Sequence, residues 1–346
     1  MITSFRPRSG HAVVGVIAAL LLTACGSSGP SSSEEASGND TDPLVAAAQK
    51  EGSVTWYSSI PQEPMDAVAA EFQDRYGITI NITRGLTGQL TQRLAAEQES
   101  GRPAADLVNL ADPIAFTDMT DKGWLTSFDG ADIPGLSDWP ADYVIDGNRI
   151  VTGIQAAAVA YNTDKVSRSD LENWESLLDP QFKGEIILSD PSAVPPWLAL
   201  MMFLRDEVDP DYLTDLADQQ PTLVESAVPG GQQLAAGEGL IQFPTTVAVV
   251  QPLIDAGAPI DTVIFSPATG VEQYSALIDG GPHPNAAKLL LSFLMSRDGQ
   301  ALVNAGTAAS VLPEVPDTLP LPDDYSPPKI LEASQQKAAI LTALGE

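Results

Sequence analysis

Two short stretches place hydroxyls beside backbone that a ligand could approach closely. Tyr57-Ser58-Ser59 closes one run of strand-forming residues, and Arg84-Gly85-Leu86-Thr87-Gly88-Gln89 closes another. Hydroxyls both donate and accept hydrogen bonds, and glycine removes the side chain that would hold a ligand away from the main chain. Ser58, Ser59, Thr87 and Gly88 are therefore candidate binding residues, suited to a small oxyanion or a polyhydroxyl group. The same residue types also cap helices, and the local sequence gives the two roles equal standing for Ser59 and Thr87.

Catalysis has less to work with. His283 is the one histidine beyond residue 11, and Cys25 is the one cysteine in 346 residues. No Ser-His-Asp or Cys-His arrangement has a convincing base, and no GxSxG, HExxH, GxxxxGK[ST] or GxGxxG motif occurs. The 46 acidic residues make chance carboxylate pairs expected near any cleft. His283 sits in GGPHPNAAK ahead of a long apolar-faced helix, where a turn or cap role is commoner than metal ligation. The expectation is a binding protein with no catalytic residue, no metal site and no cofactor.

The elements that position the hydroxyl loops can be read from period and punctuation. Asp42-Pro43 followed by LVAAAQKEG gives an N-cap, a proline at the first helical position and Gly52 as the stop. VTWY then reads as a strand, residues 62–76 as a helix with Met65, Val68, Ala69, Phe72 and Tyr76 on one face, and ITINI as a second strand. After RGLTGQL comes a helix to about Glu99, and residues 105–110 supply a third strand. This βαβαβ pattern predicts an open, mostly parallel sheet, in which ligands sit beyond the carboxyl ends of the strands, where helix N-termini point outward. Both hydroxyl loops occupy that position. Residues 139–161 hold two or three strand-like runs broken by Gly147 and Gly153, and a second α/β unit begins near Gly153. NAAKLLLSFLMSRDGQALV reads as an amphipathic helix, and a proline-rich connector leads to a final helix near Ile330 to Leu344.

Cys25 has its own context. Arg6 and Arg8 precede an apolar run from about Ala12 to Leu22, the layout of a secretory signal too short to span a bilayer, which needs roughly 20 apolar residues. GSSGPSSSEEASGND follows as a flexible tether. Leu22-Thr23-Ala24-Cys25 resembles the lipobox of bacterial lipoproteins, so residues 1–24 are expected to be a signal peptide, with Cys25 the lipidation site and 25–41 the lipidated tether. With the signal removed, 15 basic residues face 46 acidic ones, a net charge of −31. That balance disfavours nucleic acid as a partner. It suits a solvated surface, with steering of a cationic ligand as the alternative.

The runs AAAQKEGSVTWYSS, FQDRYGITI, RGLTGQL, AAEQESGRPAADLV and HPNAAKLLLSFLMSRDGQ together resemble the extracellular solute-binding proteins of ATP-binding cassette importers. The branch they are most similar to includes ferric-iron, sugar-phosphate and aminoethylphosphonate receptors. The resemblance covers nearly all of the chain after the tether. It implies an α/β, two-lobed fold of the type II periplasmic-binding class, each lobe a mostly parallel sheet flanked by helices, with a ligand cleft between them. Lobe one would be 43–152 plus 266–312 and lobe two 153–265, with 313–346 a connector and helix packing against the body. It further implies a monomeric receptor on the outer face of the cell membrane that hands a small solute to a permease.

Ferric receptors of that branch place two tyrosines after a segment like LAAGEGLIQF. Here FPTTVAV puts Thr245 and Thr246 there, and neutral hydroxyls replace phenolates poorly as ferric ligands but suit a phosphate, phosphonate or sulfonate head. Trp197, in DPSAVPPWLALMM, is placed at the cleft from lobe two, with a core role as its alternative; Tyr161 matches a crossover position with a structural role. A ferric or amine/polyamine receptor of the same family and a sensory protein for a membrane kinase remain open as alternatives, while an extracellular hydrolase is disfavoured by the missing nucleophile and base.

Overall fold

A computed structural model describes residues 42–345. The expected signal peptide, Cys25 and the tether lie outside them. The chain opens as the punctuation dictates. α1 (Pro43–Glu51) is capped by the Asp42 side chain and stopped by Gly52 at φ 75°, then β1 (Ser53–Ser58), α2 (Gln62–Tyr76), β2 (Thr79–Arg84), α3 (Thr87–Glu99), β3 (Leu107–Leu110) and α4 (Pro113–Asp121) follow. α4 repeats the device of α1, an aspartate cap at Asp112 with proline at the first position.

β2, β1 and β3 lie side by side and parallel, because each is separated from the next by a helix long enough to return the chain to the same edge. The register matters for function. Ser58 is paired with Arg84 on one side and Asn109 on the other, so the carboxyl ends of all three strands finish in one row. Alternate residues feed two cores. Val54, Trp56 and Leu107 face α1, α2 and α9 (Pro284–Met295), while Tyr57 and Val108 face α3 and α4.

The chain then leaves this sheet. β4 (Val144–Ile145) and β5 (Arg149–Ala156) complete it at one edge, and β6 (Ala158–Asn162) begins a second sheet one residue later. β7 (Ile186–Ser189), α5 (Pro195–Phe203), α6 (Tyr212–Asp218), β8 (Thr222–Val224), α7 (Ala227–Ala236), β9 (Ile241–Thr245), α8 (Val247–Asp255) and β10 (Ile260–Val263) build the second lobe in the order β10-β6-β9-β7-β8. β11 (Gly270–Leu277) returns to the first sheet between β3 and β5, giving β2-β1-β3-β11-β5-β4. α9 and α10 (Arg297–Val303) follow it there.

The two-lobed α/β architecture is as expected, but the sheets are mixed, not mostly parallel. In the first, β1 pairs parallel with β2 and β3, whereas β11 pairs antiparallel with β3 and β5, and β4 with β5. In the second, β7 pairs parallel with β8 and β9, and β6 pairs antiparallel with β9 and β10. Each of these antiparallel pairs includes β5, β6 or β11, the strands that flank the passages between lobes.

The tail also departs from expectation. The final helix is two short ones, α11 (Ile330–Gln335) and α12 (Lys337–Ala343), divided at Gln336, whose side-chain oxygen accepts from Arg205 at 2.9 Å. Ile330, Ala333, Ile340 and Leu344 join the core formed by α5 and α6 in lobe two. The segment before them is tied first to lobe one, where the Gly306 N–H donates to Asp317 O and Arg297 donates to Pro313 O. It is then tied to the returning chain, through the Ser326 N–H to Ala268 O at 2.8 Å and Tyr325 Oη to Glu272 at 3.2 Å. Residues 313–329 are thus a third passage between the lobes, after Ala157 and 264–269.

Candidate functional site

Of the row Ser58, Arg84, Asn109, the serine and the asparagine belong to a buried polar floor. Ser58 Oγ donates to Asn109 Oδ1 at 3.1 Å, and Asn109 Nδ2 donates to Thr152 Oγ1 at 2.9 Å and Ser275 Oγ at 2.8 Å. Thr152 O accepts from Gln300 Nε2 and Asn304 Nδ2, each at 3.0 Å. Four strands and α10 are stitched together here by groups that satisfy one another, which fixes the floor before any ligand arrives. Gly153 permits a close approach here, since a Cβ there would lie 2.1 Å from Asn304 Oδ1.

Beside the floor a cavity of ≈ 430 Å³ opens between the lobes. Lobe one contributes Ser59, Ile60, Pro61 and Arg84, and the interlobe strands contribute Gln155 and Gln273. From lobe two come Val228 and Gln232 on α7, and Ala248, Val249, Pro252 and Leu253 on α8. Arg84 Nε donates to Ile60 O at 3.0 Å, which steadies the side chain across the loop after β1. Among the described residues no carboxylate lies within ion-pair distance of its guanidinium. Ser59 Oγ and Gln273 Oε1 are buried with no hydrogen-bond partner among the described residues, and both residues line the cavity. Orphaned polar atoms carry a desolvation cost that an incoming ligand relieves.

Lobe two presents helix starts. α7 and α8 begin directly after β8 and β9, and neither N-cap, Ser226 nor Thr246, makes a side-chain capping bond. Their first-turn residues Val228, Ala248 and Val249 line the cavity. The starts of both helices, where the positive end of the helix dipole lies, therefore border the cavity that Arg84 lines from lobe one. A second cavity of ≈ 560 Å³ adjoins the first at Pro61, Ala248 and Pro252, and carries Glu63 and Asp255 on its wall.

β1 is held in place by its penultimate residue. Tyr57 Oη donates to Glu97 Oε1 at 2.7 Å, Arg93 Nε meets the same oxygen at 2.9 Å, and the Arg93 guanidinium stacks 4.7 Å from the Tyr57 ring. Burial, reinforced by the Glu97 charge, pushes the Tyr57 phenol up to about 12. Burial opposes ionisation of Glu97, but hydrogen bonds from Tyr57, Arg93 and the Ala104 N–H together hold it below the usual carboxylate range.

The residues singled out in the sequence fall in several separate places. Ser59 lines the cavity and Ser58 is part of the floor beneath it. Thr245 and Thr246 stand at the end of β9 and the N-cap of α8, both buried, with Thr246 Oγ1 lacking a partner among the described residues. Thr87 and Gly88 open α3 without bordering the cavity, and Thr87 is not a cap, because Leu86 holds that position. Trp197 is placed in the lobe-two core at 4% exposure and not at the cleft, because α5 is apolar on every side and is enclosed by α11 and α12. His283 bonds Asp106, with Nδ1 to Oδ2 at 2.9 Å and its N–H to Oδ1 at 2.7 Å, which secures the start of α9.

Sequence reasoning passed over Arg84, Gln155, Gln232 and Gln273. Arg84 had a signal, a cation at a strand's carboxyl end in a chain with 17 basic and 46 acidic residues. Gln155 and Gln273 had none, since only the β5–β11 register, pairing Gln155 with Val271, brings them onto one face as diagonal neighbours.

Fold and cleft together define a solute receptor, and comparison with known proteins agrees. Residues 54–305 match the bacterial extracellular solute-binding protein family, and the chain belongs to that family. It is a solute-binding protein of the kind that serves ATP-binding cassette importers. A periplasmic protein of Salmonella typhi named for 2-aminoethylphosphonate binding is 26% identical over 269 residues, 73% of each chain. Iron-bound HitA from Pseudomonas aeruginosa superposes with a TM-score of 0.66 at 18% identity, covering 84% of this chain and 99% of that one. AfuA from Actinobacillus pleuropneumoniae, with fructose-6-phosphate bound, gives 0.62 at 18%, covering 84% and 97%.

Proposed function

We propose that the protein captures a small organic solute bearing an oxyanion in the cleft between its lobes and delivers it to a membrane permease. The observation that carries this reading is the convergence on one cavity of the Arg84 guanidinium, the unpartnered Ser59 hydroxyl and the uncapped starts of α7 and α8. A phosphonate, phosphate ester or similar group would be met by charge from lobe one and by N–H dipoles from lobe two. Contacts from both lobes favour the shut form, and closure about the interlobe segments is the event a permease reads. The relatives named for aminoethylphosphonate and carrying sugar phosphate support the same head group.

None of the residues lining the cavity is a tyrosine, histidine, aspartate or glutamate. Ferric iron would find no hard anionic ligand on that wall, and the reading for iron is the weaker one. An amine-bearing solute is favoured by one observation, the carboxylates of Glu63 and Asp255 on the adjoining cavity. Lobe one is taken as the elements of the first sheet with their helices, and lobe two as residues 158–263 with α11 and α12 docked on it. Ser58 and Thr246 support the site from beneath and from the helix start. Acylation of Cys25 would keep the receptor near its permease.

Thermal unfolding of the folded domain with phosphonates, phosphate esters, polyamines and ferric citrate tests the reading. A ligand at 100 times its Kd adds about 2.7 kcal/mol. Stabilisation by oxyanions that is lost in Arg84→Gln is the expected result; stabilisation by ferric citrate or polyamines alone overturns it.

A further inference from the structure

We infer that the solute is amphipathic, an anionic head joined to an apolar body of several carbons, and that α8 supplies the surface for the body. This deepens the cleft reading above and rests on it.

Most polar lining groups lie on one side of the cavity and most apolar ones on the other, with Ile60 and Pro61 of lobe one adding apolar surface beside Ser59. The side chains able to hold a head group, Ser59, Arg84, Gln155 and Gln273, come from lobe one and the interlobe strands. Lobe two answers with Val228, Val249, Pro252 and Leu253, and its one polar lining side chain is Gln232. The helical spacing makes this a continuous wall. Val249 and Leu253 are four residues apart on α8, hence on one face, and Pro252 lies beside them. Val228 is 56% exposed, one of the few large apolar side chains the described surface leaves open. Leu86 at 70% is another, two residues beyond Arg84.

A bare tetrahedral oxyanion uses only part of this site. Held between Arg84 and the starts of α7 and α8, it leaves the Val249–Leu253 face against water, and a cavity of ≈ 430 Å³ has room for on the order of ten waters at about 30 Å³ each. A sugar or a hydrated ion would set hydroxyls or water against that face with nothing to bond them. An alkyl or aryl group fills it and removes apolar surface from water on both sides.

The test is calorimetric titration with inorganic phosphate, with methyl-, butyl- and phenylphosphonate, and with the matching carboxylates acetate, pentanoate and benzoate. The expected result is an affinity that climbs with the body, on the order of tenfold for each two methylenes buried. Val228→Ser and Val249→Thr should flatten that slope. Val228 is exposed, so its replacement spares the fold, and the first variant remains informative if the second unfolds. Equal affinity along the series, or phosphate binding tightest, overturns the amphipathic ligand while keeping the oxyanion cleft. Binding of no member of either series, with Arg84→Gln indistinguishable from the parent, overturns the cleft reading as well.

Discussion

At the scale of single residues, cleft function and stability separate cleanly. Arg84 is exposed and makes one backbone hydrogen bond, so Arg84→Gln is expected to leave the ligand-free melting temperature nearly unchanged while weakening anion binding at least tenfold, a charged hydrogen bond contributing about 1.5–3 kcal/mol. Calorimetry beside a thermal melt checks both halves. Gly153→Ala should do the reverse of a surface change. Its Cβ would meet Asn304 Oδ1, Thr152 O would lose its bond from Asn304, and overpacking of about 1–3 kcal/mol is expected in denaturant unfolding. Trp197→Ala should cost about 3–5 kcal/mol without altering the Kd of whatever ligand binds, which distinguishes its core position from a place at the cleft. Local sequence reached Ser59 because a hydroxyl after a strand is a local signal. It overvalued Trp197 because a large aromatic near a presumed cleft and one inside an apolar helix look alike until the helix is packed.

At the scale of elements, the parallel β2-β1-β3 unit was legible because its strands are separated by capped, periodic helices. The pairing of β11 between β3 and β5 was not, because it joins segments more than a hundred residues apart and no residue in either announces the partner. That pairing brings Gln273 beside Gln155 on the wall of the candidate site. It also buries Glu272 between Tyr274 and Tyr325, whose hydroxyls lie 2.6 and 3.2 Å from its oxygens. Desolvation raises Glu272 above the ordinary carboxylate range despite those bonds. A folded-state pKa above the unfolded one means the native state holds the extra proton, so this group's contribution to stability is present at low pH and is lost as pH rises through the raised value. Glu97 has the opposite sign, its lowered pKa giving stability that is present at neutral pH and lost as pH falls through that value. Unfolding measured from pH 4 to 8 should show Glu272→Gln gaining on the parent toward neutrality. Glu97→Gln should lose most at neutrality and converge with the parent in acid.

At the scale of the molecule, the resemblance in the sequence suggested two passages between lobes, and the structure has three. The third was illegible because residues 313–329 read only as a proline-rich connector, with no period to show which lobe they serve. Their backbone bonds give the answer, with Gly306 on one side and Ala268 on the other. Gly270 marks how tightly the passages are bundled, since a Cβ there would fall 2.3 Å from Gln155 O and 2.7 Å from the Ala156 Cα. Gly270→Ala is expected to perturb the spread of lobe separations in small-angle scattering, with and without ligand, more than it perturbs the melting temperature.

Two slender connectors side by side form a ball joint, free to bend and also to twist. A third connector, anchored on both bodies and tied to its neighbours through Tyr325 and Ser326, leaves such a joint fewer directions in which to bend. On the proposed closure, that restriction would bring Arg84 toward the same stretch of α8 at each stroke, and a permease would meet one closed outline.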